Sequence, residues 1–289
     1  KSNLKFDFIN DKFKSIERIQ NIEFNRDWNI ETSSGNQKLI SSALEFSNKK
    51  NNTINYLFEN LEISDSFTGN KHHLFGNLKL KNVSIHFNNS ILNNKTSIEK
   101  GTFSRYYISS KYNLSKSWYG VAFNGENNKR TEISTNSPLA ISHKFNEIEA
   151  FFGVGDSTNV YTQFGVSFRT TDSIQNSSFE QVNNSKTFYV KSTLLNTNAA
   201  NLKAYVNYRT VENANFKDEA SLNSKFVYNQ QLFSQFLNFT TSYQSLSGTL
   251  PQQDYTYIKT EPGQGFYTWI DYNNNQIKEL NEFEIAQFT

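Results

Sequence analysis

Apolar side chains return at every second position along most of this chain. Tyr119, Val121 and Phe123 share one side of an extended segment, with Gly120, Ala122 and Asn124 on the other. Ile148, Ala150, Phe152 and Val154 form the next such row. Val160, Thr162, Phe164, Val166 and Phe168 form another, backed by Tyr161, Gln163, Ser167 and Arg169. The alternation recurs at Phe188 and Val190, at Leu202, Ala204, Val206 and Tyr208, and at Leu237, Phe239, Thr241 and Tyr243. Successive side chains of a strand point to opposite faces, so period two marks strands with one apolar face. The polar stretches Asn124–Asn128, Gly155–Asn159 and Asn196–Asn201 predict short connections. Such links imply antiparallel neighbours, because a parallel crossover needs a dozen or more residues. Roughly eight strands are expected between residues 101 and 246.

The first hundred residues are less regular. Leu4, Phe6 and Phe8 alternate, and Leu39 to Phe46, Ile54 to Ile63 and Leu78 to Phe87 are predicted strands. Phe13, Ile16, Ile19 and Ile22 recur at every third position, so Ile16 to Phe24 fits a strand or a short helix. Its Ile and Phe content favours the strand. A weak break near Gly101 leads to a three-part division. Residues 1–100 form a less regular β region, 101–246 a β meander, and 247–289 an extended segment carrying a loop. No residue signature recurs with the strands, so no solenoid or propeller is expected. The expected fold class is all-β: an antiparallel up-and-down meander forming a barrel wall or a strongly curved sheet.

Composition narrows the setting. The 29 basic and 27 acidic side chains nearly balance, and Lys and Arg do not cluster along the sequence. That argues against nucleic acid as a partner. Cysteine is absent, which removes disulfides, thiolate metal sites and cysteine nucleophiles. No apolar run approaches the roughly 18 residues of a membrane-spanning helix. The chain does not begin with Met, so a processed form or an excerpt of a longer protein is expected. With 3 prolines and 12 glycines, Asn is expected to serve the turns. The 26 Phe and 15 Tyr suit the aromatic girdles of a transmembrane barrel, and the Ser, Asn, Thr and Gln of the opposite faces suit a lumen. The same alternation serves a soluble sheet whose apolar side points to a core. Leu78-Lys79-Leu80-Lys81 favours the water-exposed sheet. A third setting is a partial wall whose remaining strands lie elsewhere in a longer polypeptide.

One stretch carries candidate metal chemistry. Counted from Asp271, oxygen donors fall at the ligand positions of a twelve-residue calcium loop. Asp271, Asn273 and Asn275 take positions 1, 3 and 5, the Ile277 carbonyl position 7, Glu279 position 9 and Glu282 the bidentate position 12. Gln276 stands where the sharp turn prefers Gly. The charge of Asp271, Glu279 and Glu282 suits Ca2+ at the affinity of extracellular modules, about 10⁻⁴ to 10⁻³ M. The plain alternative is an Asn-rich hairpin that binds nothing. His72 and His73 are adjacent and would point to opposite faces, which disfavours a shared metal. Glu147 and Glu149 share a face two residues apart, which fits an ordinary solvated pair first and a glycosidase-like pair second. No catalytic constellation is recognised, and no enzymatic role is expected. Tyr255, Tyr257, Phe266, Tyr267 and Trp269 either anchor the loop to the sheet or offer an aromatic platform to carbohydrate.

The tail run Gly263-Gln264-Gly265-Phe266-Tyr267-Thr268-Trp269-Ile270-Asp271-Tyr272-Asn273-Asn274-Asn275, followed by Glu279-Leu280-Asn281-Glu282-Phe283-Glu284-Ile285-Ala286, resembles a segment of very large, mostly uncharacterised envelope β-proteins of Bacteroidota. Ile22-Glu23-Phe24-Asn25-Arg26-Asp27-Trp28 resembles another stretch of the same proteins. The resemblance implies an outer-membrane or cell-surface location and a chain continuing past Thr289. It also implies partners among outer-membrane lipid or other envelope proteins, and kinship with secretion and gliding machinery. Asp156-Ser157-Thr158 and Asp172-Ser173-Ile174, both at predicted turns, resemble the short O-glycosylation sites of that phylum. A structural or transport-scaffold role follows, with a soluble carbohydrate-binding surface module as the alternative and a hydrolase on a β-scaffold as a third reading.

Overall fold

The structure is a computed structural model. It describes residues 1–12, 23–30, 35–49, 52–214, 216–233, 236–247, 267–272 and 283–285. Strands β1 (Ser2–Ile9), β2 (Gln37–Ser47), β3 (Thr53–Ile63), β4 (Phe67–Leu80), β5 (Val83–Thr96), β6 (Glu99–Asn113) and β7 (Ser117–Glu132) are followed by β8 (His143–Gly155), β9 (Tyr161–Gln175), β10 (Ser178–Asn196), β11 (Ala200–Asn213), β12 (Glu219–Leu232) and β13 (Leu237–Ser247). A single helical turn, α1 (Phe24–Asp27), lies between β1 and β2.

These 13 strands make one sheet in sequence order, so every strand pairs with its chain neighbour. Each pairing is antiparallel, as at Phe123↔Ile148 and Val190↔Val206. Among the described residues β1 and β13 do not pair, so the sheet is open and not a closed barrel. The chain divides into two compact units, residues 1–248 and 249–289. In the second, β14 (Tyr267–Trp269) pairs with β15 (Phe283–Ile285).

The meander expected between residues 101 and 246 is present as β6 to β13, and Gly101 lies inside β6. Two short links fall where the sequence placed them, after Gly155 and after Asn196. Others do not. Asn124–Asn128 is not a connection but the middle of β7. Leu78 to Phe87 is not one strand, because Lys81 takes positive φ in the tight turn between β4 and β5. Asp172–Ile174 is paired strand within β9, not a turn. Phe24 begins α1, which corrects the end of the predicted Ile16–Phe24 strand, and residues 16–22 lie outside the described set. Asn does serve turns, at Asn136 and Asn176 with positive φ, as do Ser177 and Phe233.

The register sorts every strand residue onto one of two faces. The face that carries Ser109, Asn124, Glu147 and Gln163 is called polar here, and its reverse apolar. Residues 23–30 pack on the polar face. Trp28 is buried against Leu61 and Ile63 of β3, Phe67 of β4, Leu92 of β5 and Phe103 of β6. Polar contacts orient this cap. Asn29 and Asn128 exchange side-chain amide bonds of 3.1 and 2.9 Å, and the Arg105 guanidinium donates to Asp27 at 2.7 Å. Glu126 beneath them accepts from His143 at 2.8 Å and pairs with Arg26 at 3.4 Å. Arg130 and Glu99 form a buried bidentate pair at the same end. Buried charges paired this way keep their carboxylates and guanidinium nitrogens satisfied.

Candidate functional site

The apolar face is exposed over much of the sheet. In the strands β1 to β9, every exposed large apolar side chain lies on it, including Phe6, Leu44, Ile91, Val121, Ile148 and Phe164. Val121 is 54% exposed and Phe164 51%. Neighbours in register extend the surface from strand to strand: Ile108↔Phe123, Phe123↔Ile148, Ile148↔Phe168 and, one step along, Phe188↔Tyr208. On β5, Val83, Ile85, Phe87 and Ile91, with Asn89 among them, cover about 27 Å of strand on this face. A contiguous patch on that scale is not what a water-facing surface carries.

On β3 to β11 the band lies toward the end that carries the connections 81–82, 114–116, 156–160 and 197–199. It ends toward the opposite end in a row of polar and charged residues on the same face, with Lys95, Lys129 and Lys144 among them. A row followed straight across the ladder leaves the band: Phe46, Ile54, Phe87, Ile108, Phe123, Ile148 and Phe168 lie in it, and the next partner is Lys186. The band therefore crosses the ladder obliquely, as it must when strands are tilted against it.

Inside and outside exchange along single strands. On β3, Ile54, Tyr56 and Phe58 occupy the apolar face, while Leu61 and Ile63 are buried under Trp28 on the polar face. On β5, Val83, Ile85 and Phe87 occupy the apolar face and Leu92 the polar one. On β6, Ile108 and Tyr112 oppose Phe103 in the same way. A sheet over one core keeps its apolar residues on one face throughout. In β3, β5 and β6 the half toward residues 64–66 and 97–98 is built around an inward core, and the opposite half is apolar outward.

Opposite the apolar band, the polar face carries a hydrogen-bonded network. The Trp118 indole crosses Gly153 of β8 and donates to Gln163 of β9 at 3.0 Å. Any Cβ at 153 would overlap the indole ring, which is what this glycine is for. Gln163 in turn donates to the Tyr189 hydroxyl at 3.0 Å, and that hydroxyl donates to Glu149. Arg169 pairs with Glu147 at 3.9 Å and lies 3.7 Å from the Phe145 ring centroid. The two glutamates expected to share a face do so, each with its own partner.

His72 and His73 also take opposite faces, bonded to Tyr56 at 2.8 Å and to Asn88 at 2.6 Å respectively. Of the six calcium-loop candidates only Asp271 is described, two residues past the end of β14; Asn273, Asn275, Ile277, Glu279 and Glu282 lie outside the described residues. The aromatics Tyr255, Tyr257 and Phe266 lie outside them as well. Among the described residues no three His, Asp or Glu side chains converge as metal ligands. The sequence scatters its lysines, but the register gathers three of them. Lys191, Lys203 and Lys225 meet on the polar face of β10 to β12. Their shared strand parity was the one available signal, and it needs the register to become a location.

Among the described residues no helix is long and apolar enough to cross a membrane. No family model matches the chain, and no curated protein matches it. Among solved structures, two mutants of a porin from Rh. blastica align over 74% of this chain and 90% of theirs, at 8% and 7% identity and a TM-score of 0.22 each. A likeness at that level supports no inference about this chain.

Proposed function

We propose that β1 to β13 form part of the wall of a bacterial outer-membrane β-protein, with a structural or transport-scaffold role. The apolar face meets lipid and the polar face meets water. The exchange of inside and outside along β3, β5 and β6 carries this proposal. Lipid is the surrounding that rewards an outward apolar face over one part of a strand, while water rewards an inward core over the rest. The stretch from Val83 to Ile91 fits that role, since at a tilt near 40° it spans roughly 20 Å, close to the ~25 Å band of membrane barrels. The half around Trp28 then stands clear of the membrane, which accounts for Lys95, Lys129 and Lys144 on its outer surface.

The absence of native cysteine makes a direct test simple. Single cysteines replace Val121, Ile148 and Phe164 on the apolar face, and Ser109 and Thr187 on the polar face, in the full-length protein in membranes. A water-soluble maleimide is expected to modify the polar-face cysteines and to spare the apolar-face ones until the protein is unfolded in urea. The apolar-face positions are the more exposed to a probe when no membrane covers them. Equal or faster labelling at 121, 148 and 164 in native membranes removes the proposal.

A further inference from the structure

Several cations of the polar face are matched. Lys71 pairs with Glu59 at 3.6 Å, Arg105 with Asp27 at 2.7 Å, and Arg169 with Glu147 at 3.9 Å. Lys79 of β4, Lys111 of β6 and the lysines of β10 to β12 on this face have no such partner among the described residues. Lys191 and Lys225 flank Tyr205 in one cross-strand row, Lys191↔Tyr205↔Lys225. Lys203 sits two positions along β11 on the same face, opposite Thr193 and Val227. Strand spacing sets the backbones of Lys191 and Lys225 about 10 Å apart, with Tyr205 between them. Among the described residues none of the three ammonium groups has a carboxylate within ion-pair distance. They line a cavity of about 760 Å³ together with Tyr161, Thr193 and Tyr205, and no Asp or Glu contributes to its lining.

The nearest carboxylate in the adjoining β8–β9 turn is already engaged. Asp156 accepts from the Thr158 hydroxyl at 2.7 Å and from the Thr158 amide at 2.9 Å. These bonds, the hydroxyl first, hold its carboxyl below the usual carboxylate range. The positive charge also has no nearby relief along the rim, where Lys79, Lys81 and Lys111 line neighbouring hollows. Three point charges converging on one recess, each with three donors and none with an acceptor, favour an anion bearing several oxygens.

We infer that Lys191, Lys203 and Lys225, with Tyr205 between them, form a binding station for a soluble, multiply charged oxyanion of the diphosphate class. The ligand's oxygens would accept from the three ammonium groups. Asn196 and Asn201 also line the recess; the Asn201 amide donates to the Asn196 side-chain oxygen at 3.0 Å, which leaves the Asn196 amide nitrogen as a further neutral donor. The station lies on the face opposite the apolar band, so it serves a solute in water. It stands on the lysine geometry alone and survives even if the apolar face proves to meet another protein.

Pyrophosphate is the probe. Its binding to the full-length protein in detergent is measured by titration calorimetry at low ionic strength. The triple variant Lys191→Gln, Lys203→Gln, Lys225→Gln is expected to weaken binding by about tenfold or more. A control removing equal charge from the same rim, Lys79→Gln, Lys81→Gln, Lys116→Gln, is expected to change it by about twofold at most. Replacing the three lysines by arginine, which preserves charge and donors, is expected to retain binding and guards against loss through misfolding. The inference fails if the native protein shows no saturable binding. It fails equally if the two glutamine triples lose the same affinity, because net charge and not the recess would then be responsible.

Discussion

The sharpest energetic consequence of a lipid-facing sheet is that a charge should cost energy according to its depth on the apolar face. Val121 is 54% exposed and pairs with Ser110 and Ala150, away from both ends of the band. Lys129, on the same face of the same strand, marks the polar edge about 27 Å along β7. Thr102 lies beside Lys129 in register and is exposed. In lipid, Val121→Arg places a guanidinium near the middle of the band and is expected to destabilise by about 2–4 kcal/mol, whereas Thr102→Arg costs about 0–1 kcal/mol. The first figure corresponds to roughly 30- to 700-fold in the unfolding equilibrium. A water-facing surface gives the opposite expectation. Both substitutions would then remain within about 0.5 kcal/mol, since neither site is buried by protein. Reversible denaturant unfolding of the protein folded into phosphocholine vesicles measures the difference as a shift in midpoint at constant slope. If the two arginine variants unfold at the same denaturant concentration, lipid does not cover this face.

Two further expectations concern other parts of the chain. Gly153→Ala drives a methyl group into the Trp118 indole and should cost about 1–3 kcal/mol while breaking the bond to Gln163, visible as a change in tryptophan emission that Gln163→Ala reproduces without the steric cost. For the tail, we propose that the loop from Asp271 to Glu282 binds Ca2+: chelator, Asp271→Ala and Glu282→Ala should each speed proteolysis between residues 263 and 286, and unchanged cleavage under chelator would exclude a structural calcium.

The alternation of Tyr119, Val121 and Phe123, of Ile148 to Val154 and of Leu202 to Tyr208 was legible because a strand's two faces are a purely local property. The local pattern misleads where another force writes the same letters. Asn124-Gly125-Glu126-Asn127-Asn128 looks like a turn, yet Gly125 is there because the Tyr106 ring lies across it to bond Asn146, and Glu126 and Asn128 are there to meet the cap. Leu78 and Leu80 followed by Val83, Ile85 and Phe87 looked continuous, although the parity changes from even to odd between them. That change is the trace of the two-residue turn at Lys81. The charged alternation of Leu78-Lys79-Leu80-Lys81, which favoured a soluble sheet, resolves into two leucines on the apolar face, one lysine on the polar face and one in the turn. The cap itself was invisible. Asn29 and Asn128 are 99 residues apart, and no local pattern announces such a contact. The lysine station has the same character, since its three members sit on three different strands.

The open edges of the sheet bear on how such a wall would be completed. With 13 strands in sequence order and every pairing antiparallel, β1 and β13 run in the same direction. Joining them directly would create one parallel seam in an otherwise antiparallel ladder. A ring that is antiparallel throughout has an even number of strands, so closure in that style takes an odd number of strands beyond these thirteen. Both edges keep the two-faced alternation: Leu4, Phe6 and Phe8 on β1, and Leu237, Phe239 and Tyr243 on β13, are all exposed. In hydrocarbon, unpaired edge N–H and C=O groups would each cost several kcal/mol, and in water an apolar edge of this length would recruit another chain. Neither environment leaves these edges bare. On the proposal that the apolar face meets lipid, further strands would pair with both flanks, and this sheet would be an arc of a larger wall.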